Sequence, residues 1–140
     1  MQKKILIERL QEMLTFEYTD VFIYNNEANL FKQKLREPKK IIETYKSFAL
    51  DELTHADLIS KYLSELNVKS VWEYKDIPIF NSIRDSLKNH LEREIKVYQK
   101  YIALTEELED RRWKIIFEGI AFSEKQHIKK IIDIIQNLRH

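Results

Sequence analysis

Apolar residues recur every three to four positions in four stretches of the chain, the spacing that lines one face of a helix. The first stretch, from about 3 to 33, puts Leu6, Leu10, Met13, Leu14, Val21, Tyr24, Ala28 and Phe31 on one stripe. The second follows Pro38, a residue suited to a helix's first turn, and carries Ile41/Ile42, Tyr45, Phe48/Ala49, Ala56, Ile59, Leu63 and Leu66. The third, from about 80 to 109, carries Ile83, Leu87, Leu91, Tyr98, Tyr101, Ile102 and Leu108. The fourth starts near Asp110, an N-cap residue type, and continues through Ile116, Ile120, Ala121, Ile128, Ile131, Ile135 and Leu138. The short joints within the first and second pairs of stretches predict two antiparallel hairpins. Residues 67 to 79 make the long connection, which reaches roughly 43 Å when extended, against roughly 45 Å for a helix of about 30 residues. The expectation is an all-α four-helix bundle with a long crossover between the second and third helices. Ser70, with Glu73 three residues on, is expected to cap a short helical turn inside that crossover.

Ionisable residues interrupt these stripes at matched places. Glu17 lies three residues after Leu14 and seven before Tyr24, and Glu94 lies three after Leu91 and seven before Tyr101. The second stripe is broken by Glu52 and His55 and the fourth by Glu124 and His127, each a Glu-x-x-His pair sharing one helix face. Ala49 and Ala121, three residues before each Glu, leave room inside. Glu17 and Glu52 are nearly equidistant from the turn near 34 to 37, and Glu94 and Glu124 from the turn near 109 to 110. Folding at these breaks brings four Glu and two His to one level, facing inward, and makes the first half of the chain resemble the second, as a duplication leaves it. Carboxylates buried together repel one another and lose hydration. Two divalent cations supply the compensating charge, and carboxylate oxygens with one imidazole per metal suit iron(II) or manganese(II). Bridging carboxylates hold two such ions where they can share O2 or peroxide. The competing reading is that these are solvated or paired structural residues of the kind helices are rich in.

Composition narrows the alternatives. One Gly and two Pro in 140 residues are too few for the tight turns of a sandwich, barrel or Rossmann fold, and the length suits a single domain over 1–140. With 24 Lys plus Arg against 23 Asp plus Glu, a net charge of +1, nothing draws nucleic acid or an anionic membrane. The absence of Cys excludes disulfides, thiolate zinc sites, Cys-ligated iron–sulfur centres and Cys nucleophiles, and is compatible with the expected cytoplasmic location. The longest apolar runs, such as Val21-Phe22-Ile23-Tyr24, have four residues, far short of a bilayer span. The opening Met1 to Ile7 turns charged at Glu8 and Arg9, unlike a signal peptide.

Leu14-Thr15-Phe16-Glu17 with Tyr24, Asp51-Glu52-Leu53-Thr54-His55-Ala56-Asp57, Glu94 and Glu124-Lys125-Gln126-His127 together resemble the ferritin-like di-iron carboxylate superfamily. The rubrerythrin iron-binding domain and bacterioferritin are the most similar branches, and the likeness covers essentially the whole chain. It implies a ferritin-like bundle holding two iron ions, with manganese also accepted by the ligand set. Glu17 and Glu94 then take the place of terminal ligands, Glu52 and Glu124 of bridging carboxylates, and His55 and His127 of one nitrogen ligand for each metal. The residue before each bridging Glu is implied to orient a ligand His; Asp51 fits, whereas Ser123 departs from the acidic version, so the two metals can differ in affinity. Rubrerythrins carry a further carboxylate where this chain has Val97, and a Cys-rich electron-transfer domain that a chain without Cys lacks. The implied activity is that of a di-iron oxidoreductase that oxidises Fe(II) or reduces O2 or peroxide, served by a separate electron-donor protein or a small reductant. One alternative is a ferritin-type storage protein in which oxidation serves iron deposition. Another is an interaction bundle with a vestigial metal site.

Further residues carry narrower expectations. Glu92 competes with Glu94 as ligand but shares a face with Lys88 and Gln99 and reads as solvated. His90, one turn before Glu94, reads as a partly exposed histidine, the alternative being a group that supports the ligands. Tyr24 and Tyr101 read as core packing, the alternative being a hydrogen bond to a ligand or an electron relay. Phe16, Tyr18, Phe22 and Ile23 widen the first helix's apolar surface and predict a homodimer or larger homo-oligomer. Trp72 and Tyr74 are expected to cover the bundle or join that interface. Lys34, Arg36, Lys39 and Lys40 read as a solvated turn, and His140 as a disordered chain end.

Overall fold

The computed structural model describes residues 1–138. It contains α1 (Lys3–Lys34), α2 (Lys39–Glu65), α3 (Ile83–Glu107) and α4 (Arg111–Asn137), with no strand among the described residues. The chain divides into two compact units, Met1–Pro78 and Ile79–His140. In the first, α1 packs on α2; in the second, α3 packs on α4. Each pair is the antiparallel hairpin that its short joint predicts. His140 lies outside the described residues.

Buried positions on all four helices follow an alternation of threes and fours, the seven-residue repeat of helices packed side by side. On α1 the series is Leu6, Leu10, Met13, Glu17, Asp20, Tyr24, Glu27 and Phe31, and on α2 it is Tyr45, Ala49, Glu52, Ala56, Ile59 and Leu63. On α3 it runs Leu87, His90, Glu94, Val97, Tyr101, Leu104 and Leu108. On α4 it runs Trp113, Phe117, Ile120, Glu124, His127, Ile131 and Ile134. The fourth stripe drawn from sequence is therefore off by a position or more at several places. Ile116, Ile128 and Ile135 are half-buried flanks, while Trp113, Phe117 and Ile134 occupy the centre. Rings fill much of the core. Tyr24 meets Tyr45 and Phe48 edge-on at 5.2 and 5.5 Å between centroids, and Tyr101 stacks on Phe117 at 5.9 Å, so both tyrosines pack as the plainer reading holds.

Local chemistry sets the helix ends. Asp110 Oδ1 accepts from the Arg112 and Trp113 N–H groups at 3.0 and 3.3 Å, capping α4. Ser82 Oγ accepts from the Asp85 N–H at 3.2 Å, which starts α3 a few residues later than the periodicity suggested. At the end of α2, Asn67 takes a left-handed conformation (φ 61°). Its N–H donates to the Ser64 carbonyl at 3.0 Å, and the Val68 N–H donates to the Leu63 carbonyl at 2.9 Å, a Schellman closure.

The connection 66–82 contains no helix, so the turn expected at Ser70–Glu73 is absent. The reason is that this segment is drawn out along α1. Gln11 donates to the Lys69 carbonyl at 3.2 Å and accepts from the Val71 N–H at 3.0 Å. Trp72 lies against Tyr18 with centroids 4.7 Å apart, and Tyr74 meets Phe22 edge-on at 5.9 Å. Gln11 to Phe22 spans about 16 Å of helix, so the connection travels back alongside α1. Trp72 and Tyr74 thus cover part of the wide apolar face of α1, and Ile23 is itself buried. Phe22, Trp72 and Tyr74 stay 42%, 38% and 62% exposed. Lys34, Arg36, Lys39 and Lys40 are exposed at the turn. Among the described residues, no helix is long and apolar enough to cross a membrane.

Candidate metal centre

Helices packed by a seven-residue repeat bury the side chains on that repeat, whatever their chemistry. In this chain the repeat places ionisable groups inside: Glu17, Asp20 and Glu27 on α1, Glu52 on α2, His90 and Glu94 on α3, and Glu124 and His127 on α4, with His55 beside it on α2. None is more than 5% exposed.

In the first unit, α1 supplies Glu17 and α2 supplies Glu52 and His55. His55 Nδ1 lies 3.3 Å from Glu17 Oε2 and 3.5 Å from Glu52 Oε1. In the second unit, α3 supplies Glu94 and α4 supplies Glu124 and His127. His127 Nδ1 lies 4.0 Å from Glu94 Oε2 and 4.0 Å from Glu124 Oε2. The same figure is built twice: a lone Glu from one helix, a Glu-x-x-His pair from its neighbour, and the Nδ1 edge of the ring turned to both carboxylates. Within each set, one ligand atom from each of the three residues lies within 4.8 Å of the others. The level matching read from the hairpin turns therefore holds inside each unit.

These donors fit a divalent cation. Two donor atoms that both sit at about 2.1 Å from one ion, at right angles or slightly wider, are about 3.0–3.4 Å apart. The first unit's set is already near that spacing, and the second is a little wider. One imidazolium offsets at most one carboxylate, so each set carries a net negative charge when both carboxylates are ionised, in surroundings where an uncompensated charge is costly. Two carboxylates and an imidazole are the ligand chemistry of iron(II) and manganese(II). Ala49 and Ala121, three residues before the paired Glu residues, are both buried.

Glu92 is exposed, as a solvated residue should be, and Asp51 and Ser123 are half-buried. His90 is a correction. It is fully buried rather than partly exposed, and its Nε2 lies 3.2 Å from Glu94 Oε1. Its position four residues before Glu94 on the packed face is the reason. Asp20 and Glu27 were missed altogether. The signal that finds them is the unbroken alternation 17, 20, 24, 27 and 31 on α1, once polar residues are allowed to occupy it.

A family model described as Ferritin-like domain matches residues 7–140. Among solved structures, the fold is similar to that of a ferritin-like, diiron-carboxylate protein from Bacillus anthracis str. Ames, with a TM-score of 0.84 and 20% identity over 96% of this chain and 99% of that one. It is similar also to Rhodobacter capsulatus bacterioferritin, described with a metal-free dinuclear site and heme iron, with a TM-score of 0.83 and 22% identity over 96% of this chain and 86% of that one. At such identities the likeness speaks to the fold. No curated protein matches the chain.

Proposed function

The chain belongs to the ferritin-like domain family and has its all-α four-helix fold, and from that premise we propose that it is a di-iron carboxylate oxidoreductase that oxidises Fe(II) or reduces O2 or peroxide. The observation that carries this reading is the Glu plus Glu-x-x-His set repeated in each unit, buried and turned to a common imidazole edge. In this reading residues 1–140 act as one domain. Glu17, Glu52 and His55 would hold one ion and Glu94, Glu124 and His127 a second, so that four carboxylates would meet two divalent cations and their charges would balance. Iron is the proposed metal, and manganese satisfies the same ligands. Bound in the Fe(II) state, two such ions would supply the two electrons that reduce one peroxide to water.

The chain's own part is to place and shield the ligands. His55 Nδ1 lies within hydrogen-bond reach of Glu17 at 3.3 Å, and His127 Nδ1 faces Glu94 and Glu124 at 4.0 Å. Buried Leu10, Leu14 and Tyr24 flank Glu17 along α1, and buried Leu87, Val97 and Tyr101 flank Glu94 along α3, keeping bulk water away. A chain without Cys takes its electrons from a separate donor protein or a small reductant. Exposed Phe22, Trp72 and Tyr74 make an apolar patch suited to a homodimer or larger homo-oligomer.

The test is anaerobic loading of the metal-free chain with Fe(II), followed by metal analysis, light scattering and measurement of O2 or peroxide consumption with a small reductant such as ascorbate in excess. About two irons per chain with repeated turnover is the expected result. Hundreds of irons in a hollow multi-subunit particle would make storage the function instead. A chain that takes up no metal would leave only an interaction bundle.

A further inference from the structure

The two repeated sets differ one turn before the lone Glu of each unit. Four residues before Glu17 stands Met13, and four before Glu94 stands His90; they are 2% and 0% exposed. A thioether has no hydrogen to donate, whereas an imidazole has. His90 Nε2 lies 3.2 Å from Glu94 Oε1, while the other oxygen of that carboxylate, Oε2, faces His127 Nδ1 at 4.0 Å. With its proton on Nε2, His90 donates to Oε1, sets the Glu94 rotamer and leaves Oε2 as the oxygen presented on the His127 side. At the corresponding position the first unit has Met13, which cannot make this contact.

We propose that His90 is a positioning residue that holds Glu94 to ligation through Oε2, and that it makes the metal position of the second unit distinct from that of the first. The inference deepens the di-metal reading and rests on it. Hydrogen-bond partners of ligands orient them, and their loss typically weakens metal binding about 10- to 100-fold.

The test is a cobalt(II) titration of the full-length metal-free chain, followed by calorimetry and visible absorption. The native chain should take two cobalt ions in two distinguishable steps. His90→Met, which gives the second unit the residue type of the first, should weaken one step by about 10- to 100-fold, alter that cobalt's visible spectrum and leave the other step unchanged. His90→Gln, whose side-chain amide can donate at a similar reach, should recover most of the affinity and the native spectrum. A purely packing role would make Gln as poor as Met and would leave the spectrum of the bound cobalt as it was. Should the Met variant fail to fold, His90→Asn, too short to reach Oε1, takes its place. The proposal is overturned if neither step moves, if both move together, or if Gln is as weak as Met. A native chain that binds fewer than two cobalt ions overturns the di-metal reading itself, and this inference goes with it.

Discussion

Glu52 shows what a buried carboxylate costs this core. It is fully buried in one helix, with His55 Nδ1 3.5 Å from its Oε1 and Glu17 as the second carboxylate on the same ring. Without a cation, two carboxylates compete for one imidazole in surroundings that penalise charge. Glu52→Gln keeps the shape and removes the charge. It should therefore stabilise the metal-free chain by about 1–3 kcal/mol while removing about half of the gain that bound metal would give the native chain. Urea unfolding in chelator and again with saturating Mn(II) reads both effects; a variant destabilised in chelator would contradict this account of Glu52. Tyr101 makes the opposite case. It stacks on Phe117, so Tyr101→Phe should leave the metal count unchanged, whereas Tyr101→Ala should cost about 3–5 kcal/mol in the same unfolding measurement. The paired Glu and His residues were legible because each replaced an apolar residue on a stripe that was otherwise apolar. Asp20 and Glu27 were not, because their neighbours Val21 and Ala28 completed an apolar stripe without them. His90 was misjudged because an imidazole sits equally well on a wet face or in a core, and only the packing decides.

Helix ends and helix faces differed in how clearly they could be read. Asp110 was readable because an N-cap needs only one oxygen and the two N–H groups that follow it in sequence. Asp110→Ala should cost about 1 kcal/mol, measured as a lower urea midpoint with unchanged helix content away from the first turn of α4. The Schellman closure at Asn67 was not readable. Asn is enriched in left-handed positions but common elsewhere, and the Leu63 and Ser64 carbonyls that close the motif carry no side-chain signature. Asn67→Ala should destabilise the chain by about 1 kcal/mol, since a β-carbon without a local hydrogen-bonding group is penalised at φ 61°, and Asn67→Gly should be close to native. On α4 the fault lay in following isoleucines. Ile116, Ile128 and Ile135 form a convincing stripe, yet Trp113 and Phe117 bury more surface and take the centre. For the connection, length alone predicted a long return. Its helical turn failed because Gln11, Tyr18 and Phe22 offer the extended segment partners that a turn could not reach.

Metal held by the six buried donors, as proposed, would link the stability of the folded chain to metal concentration. Anything that binds the folded state alone stabilises it by about 2.7 kcal/mol at a free concentration 100-fold above Kd, and two such sites roughly double that. For a domain near 150 residues each kcal/mol shifts the unfolding temperature by about 2–4 °C, so full loading should raise it on the order of 10–20 °C over the chelated chain. Magnesium, which prefers oxygen ligands and keeps its water, should give a much smaller rise than iron(II) or manganese(II). The gain should also divide along the two repeated sets. His55→Ala or His127→Ala should each remove about half of it and one ion from the metal count, and the double variant should remove nearly all. A calorimetric scan with chelator, Mg(II) or Mn(II) measures every arm. Equal shifts for magnesium and manganese, or a shift that survives loss of both imidazoles, would mean that surface carboxylates rather than these six residues bind the ion.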